Sequence, residues 1–234
     1  MTMPSYCGTP PLPAEIFARW NLDPLVLAGL AIAAACAWRL GGIRRPAGLA
    51  GIAALGLAFV SPLCALSVAL FSARALHHLL IVAVAAPMLA VAWPPRRALP
   101  AVPMLALSTV TLWAWHVPAA YDAALADVAL YWTMQATLLA TAWAFWAAVW
   151  RASAPVAAVA IMGGAAQMGM LGALLTFAPK PLYASHLATT LPYGMGPLGD
   201  QQLAGLTMWV VGSLPYAVAG GWFLGGAWRR MAAA

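Results

Sequence analysis

The chain has 234 residues, 65% of them apolar and 7% charged, against about 45–50% and about 25% in soluble domains. This composition excludes an ordinary soluble globule and predicts an integral membrane protein. The net charge of +6 rests on only 11 basic residues, spread along the chain, so nucleic acid is not an expected partner and each basic residue is read by the side of the membrane it marks.

The opening MTMPSYCGTPPLPAEIFARW lacks a basic stretch followed by an apolar core, so no cleaved signal peptide is expected and the first membrane helix carries the targeting information. Residues 1–23 are expected to form an outward-facing segment and 24–234 a single transmembrane domain. Apolar runs near the length of a span, about 17–25 residues, fall at 24–40, 47–64, 71–93, 99–115, 128–150, 155–177 and 203–224. As one helix the nearly unbroken stretch from 47 to 93 would extend about 70 Å, far beyond a hydrocarbon core of about 30 Å. A turn is therefore expected between Pro62 and Ser72. The expected fold is all-α, a polytopic membrane helix bundle of about seven transmembrane helices.

Local signals fit these boundaries. Asp23, Asp127 and Asp200 each precede an apolar run, as helix N-caps do, with Pro24 at a first helical position. Gly163, Gly164, Gly169 and Gly172 suit close helix approach in lipid. Trp20, Trp38, Trp93, Trp115, Trp150 and Trp228 fall near helix ends, as interfacial aromatics do. With the N-terminus outside, the cytoplasmic ends hold Arg39, Arg44, Arg45, Arg96, Arg97, Arg151, Arg229 and Arg230, and the outer ends hold Arg19, Arg74 and Lys180. The positive-inside bias then puts the C-terminus in the cytoplasm, and all five acids and all four histidines outside.

Polar groups inside a bilayer are costly and point to function. His77 and His78 lie six or seven residues into the third helix. Adjacent residues on a helix sit about 100° apart, so the two rings cannot aim at one point. The facing candidate is His116, at the outer end of the next helix. The bland alternative is that each ring only hydrogen-bonds at the interface. Buried imidazole stays neutral, the form that binds metal. Met134, Met168, Met170 and Met208, with Cys7 and Cys64, add soft side chains to the same half, and imidazole, thioether and thiolate are the ligand set of Cu(I). Most methionines in such a chain are packing material. The three cysteines form no CxxC pair and are odd in number, so any thiol role is expected to be individual. Asp200 reads as an N-cap or as a group that orients a histidine. There is no Gly-rich phosphate loop, no serine nucleophile with a base, and no HExxH, so an enzyme is not expected.

The blocks YCGTPPLPAEIFARWNLDPLVL, FSARALHHLLIVAVAAPMLA, WHVPAAYDAAL, GALLTFAPKPLY and GDQQLAGLTMW resemble, in order, the CtaG family of bacterial cytochrome c oxidase assembly factors. The resemblance implies a multi-helix inner-membrane fold, outward-facing histidines, oxidase subunits as partners and a role in supplying copper, with a periplasmic copper donor and membrane lipid as further partners. Where relatives often carry a histidine, three residues and a second histidine, this chain has Arg74 and His78, with His77 between them. A similar pair at the fifth helix is replaced by Tyr131 and Gln135. The implied site is therefore sparse and transient: His78 facing His116, with Cys7, Met208 and, at the lip, His77 as further candidate ligands, and Asp200 behind them. The alternatives are an electron-transfer protein with His78 and His116 as axial haem ligands, a metal-independent assembly scaffold, and a solute transporter. The last is disfavoured because no broken helices recur in matching halves of the chain.

Overall fold

The structure is a computed structural model and describes residues 5–232. Each expected apolar run forms a helical rod, and no strand occurs among the described residues. Helix α1 (Pro24–Trp38) begins where Asp23 accepts a 2.8 Å bond from the Leu25 amide, beside a proline already fixed at a helical φ. Helix α2 (Arg44–Phe59) bends by 46° into α3 (Leu63–Ala69). Leu70, at φ −124° and ψ 131°, then breaks the chain before α4 (Phe71–Ala92). The chain thus turns in two steps, one at residues 60–62, at the edge of the interval expected from Pro62 to Ser72, and one at Leu70, inside it.

Helices α5 (Ala101–Trp115), α6 (Pro118–Ala126), α7 (Val128–Arg151) and α8 (Ala154–Phe177) follow. Asp127 caps α7 through a 2.8 Å bond from the Leu130 amide. The last rod runs from α9 (Pro197–Leu206) through a wide turn into α10 (Leu214–Ala232). By length and apolarity α4, α8 and this last rod suffice to cross a membrane, and the bent α2–α3 pair makes a fourth. Helices α1 and α5 have 15 residues each, about 22 Å at 1.5 Å per residue.

Both long rods that contain prolines widen to π geometry just before them, at Leu80–Ala85 ahead of Pro87 and at Thr207–Val211 ahead of Pro215. Proline has no N–H and its ring presses on the carbonyl four residues back, so the turn there must open. In α4 the freed backbone is served by tryptophans, since Trp146 Nε1 donates to the Val82 carbonyl at 3.1 Å and Trp150 Nε1 to that of Pro87 at 3.4 Å. The rods pack through small residues. A Cβ on Gly172 would lie 2.6 Å from the Gly205 carbonyl oxygen, and one on Gly164 would lie 2.5 Å from the Tyr216 ring. Large apolar side chains point outward, among them Leu25, Phe177 and Val218, as in a surface bathed by lipid.

The two ends of the bundle differ in charge. At one end Arg44 Nε donates to the Ala92 carbonyl, Arg151 to that of Pro95, and the Arg45 guanidinium lies over Trp38. At the other end lie Asp23, Asp122, Asp127 and Asp200 with all four histidines, at the start of α4, the end of α5 and the loop between α8 and α9.

Candidate functional site

The histidine end is assembled around the first two turns of α4. Asp200 makes this possible, in a way the sequence reading missed. It does not cap its own helix, whose N-cap is Gly196. It is instead fully buried against α4, accepting bonds from the Phe71 amide at 2.6 Å and from the Ser72 amide and hydroxyl. A carboxylate thereby caps the helix that carries His77 and His78 from a distant part of the chain, and its charge meets the positive end of that helix.

His78 and His116 face one another. Their ring centroids are 6.0 Å apart at 75°, and both rings are buried. His116 Nδ1 is 2.7 Å from the Leu112 carbonyl. A carbonyl only accepts, so Nδ1 carries the hydrogen and Nε2 keeps a free lone pair. Both ring nitrogens of His78 lack a partner. His77 was expected at the lip, but it is fully buried, edge-on to Phe59 at 5.1 Å, and both its nitrogens also lack partners. Neither histidine of the pair reaches the surface.

Cys7 also departs from expectation. It is joined to Cys64 in a disulfide, so in this state its sulfur is no thiolate ligand. The bond ties the N-terminal segment to the start of α3, and Cys7 Sγ lies 3.4 Å from the Tyr131 hydroxyl. Tyr6 stacks on Tyr131 at 5.0 Å and donates to Asp23 at 2.8 Å; burial pushes its phenol up to about 12. Cys36, the remaining cysteine, is exposed and free. Met208 is buried on the wide turn Thr207–Val211, which packs against α4 near Leu79. Met134 and Met168 are core residues and Met170 points outward. Among the described residues no three His, Cys, Asp or Glu side chains converge as a metal-holding group.

Two further residues belong to the site. His186, in the loop after α8, accepts or donates a 2.7 Å bond with Tyr121; burial, and then the charge of Arg74, push it down to about 4. Arg74 is fully buried one turn before His78. From the sequence alone it was read as an outer-end basic residue and as a departure from the resembled pattern, not as part of the site.

Residues 100–230, more than half of the chain, match the family described as cytochrome c oxidase caa3 assembly factor (Caa3_CtaG). Neither the curated proteins nor the solved structures contain a match.

Proposed function

We propose that this chain, which belongs to the cytochrome c oxidase caa3 assembly factor family, serves oxidase assembly by handing Cu(I) to the nascent enzyme on the periplasmic side of the inner membrane. The observation that carries this reading is the buried His78–His116 pair, in which His116 is held in the tautomer that leaves Nε2 free. Two imidazoles, with the Met208 thioether on the turn that packs against their helix, suit a soft monovalent ion. Arg74 lies one turn before His78 on the same helix, and its positive charge opposes a cation held there, so the ion is held loosely, as release to a recipient requires.

The same reading takes all seven rods as spans of one domain, residues 24–234, with residues 1–23 outside. Two observations support it. Arg44, Arg45 and Arg151 lie at the end opposite the histidines, which under the positive-inside rule is cytoplasmic. The Cys7–Cys64 disulfide lies at the histidine end, and disulfides persist in oxidising compartments such as the periplasm.

The experiment is deletion of the gene, or substitution of both His78 and His116 by alanine, followed by metal analysis of the purified oxidase. The expected product contains haem but lacks copper, and added copper partly restores activity by mass action. An oxidase with its full copper, or one lacking haem, contradicts copper delivery. A metal-independent scaffold is the second reading, favoured by the lack of a third His, Cys, Asp or Glu ligand among the described residues.

A further inference from the structure

Arg74 is fully buried, and none of its Nε, Nη1 and Nη2 atoms has a hydrogen-bond partner. Arginine keeps its proton in proteins, and an unpaired buried cation costs several kcal/mol. The chain has five carboxylates, and each is engaged elsewhere. Glu15 pairs with Arg19, and Asp23 takes Tyr6 and the Leu25 amide. Asp122 takes Ala184 and Ser185, Asp127 caps α7, and Asp200 caps α4. The Tyr131 ring, 5.4 Å from the guanidinium carbon, offsets the charge only in part.

Two more donors stand beside Arg74 in the same condition. Gln135 lies one turn beyond Tyr131 on α7 and is 2% exposed, with both amide atoms unpartnered. His77, three residues beyond Arg74, is 0% exposed with both ring nitrogens unpartnered. A guanidinium, an amide and an imidazole thus come together from two packed helices. The Tyr121 and Tyr131 hydroxyls lie near the guanidinium, and that of Tyr131 also near Gln135; these neutral oxygens can accept a hydrogen bond but bring no charge to balance Arg74, and no carboxylate is free to do so. Exposures this low exclude a large occupant.

We infer that Arg74, Gln135 and His77 form a buried site for a small monovalent anion of chloride size. The anion neutralises the guanidinium and accepts from the amide and imidazole. It also removes the charge that opposes a cation at His78, so anion and Cu(I) binding favour one another; this last consequence rests on the copper reading, whereas the anion site does not.

The test uses the full-length protein in detergent, freed of metal by a chelator, with chloride replacing gluconate at constant ionic strength. The expected result is a Tm that rises with chloride and saturates. In Arg74→Gln the dependence is lost, and in Gln135→Leu its midpoint moves to higher chloride. A wild-type Tm indifferent to chloride, or one that responds equally in Arg74→Gln, overturns the site and leaves ordered water as the occupant. Should Arg74→Gln fail to fold, an unchanged midpoint in Gln135→Leu overturns it instead. A saturable shift that depends on these residues supports the anion site even in a protein that retains no copper, so the two readings fail separately.

Discussion

Removing the Asp200 carboxylate should loosen the histidine helix from its first turn. In Asp200→Ala the Phe71 amide, the Ser72 amide and the Ser72 hydroxyl all lose their acceptor, at a position with no exposure to solvent. Hydrogen bonds to a charged group contribute about 1.5–3 kcal/mol each, with incomplete additivity because one group serves all three, so the expected loss is about 3–5 kcal/mol. Asp200→Asn keeps one acceptor oxygen but sets an NH2 group against one of the two amides, for a loss of about 1–2 kcal/mol. Thermal unfolding in detergent, followed by tryptophan emission, should therefore rank wild type above Asn and Asn above Ala. Cu(I) retention by the folded fraction should fall in the same order, since the start of α4 sets the His78 ring. An Asp200→Ala protein that unfolds at the wild-type temperature would refute the capping role.

Cys7→Ser and Cys64→Ser should destabilise equally, each by about 4 kcal/mol for a closed loop of this size, given a separation of 57 residues, and a thiol reagent should label only Cys36 in the unreduced protein. Gly205→Ala should lower Tm by overpacking against Gly172 and Thr176, at about 1–3 kcal/mol, whereas Gly56→Ala, which meets open space, should not. His186 is depressed to about 4 by burial and by Arg74; an opened loop takes up a proton below its ordinary value of about 6.5, so the stability present above pH 6.5 is lost as pH falls toward 4. Protection of the amides across 183–193, taken relative to their intrinsic exchange rates, should accordingly fall between pH 7 and pH 5, and His186→Gln should flatten that change.

The rods were legible because apolar runs, aspartate caps and prolines are local signals. Asp23 and Asp127 cap where their sequence positions predict. Asp200 occupies a similar position and does something else, because the amides it serves lie 128 and 129 residues away. The disulfide was hidden for the same reason: a spacing of 57 residues has no periodic signature, and an odd number of cysteines argued against any pair. The facing of His78 and His116 followed from antiparallel neighbours, which place the start of one helix beside the end of the next. The burial of His77 did not follow, since it depends on Phe59, a residue from a helix earlier in the chain. Arg74 was visible in the sequence as a departure, but its lack of a partner emerges only once every carboxylate has been located.

The most direct test of the copper account is a competition assay for Cu(I) against a chromophoric chelator, using purified wild type, His78→Ala, His116→Ala and His77→Ala. The account predicts one Cu(I) per wild-type chain, lost in His78→Ala and His116→Ala and kept in His77→Ala. Copper that binds all four proteins alike, or none of them, would contradict it.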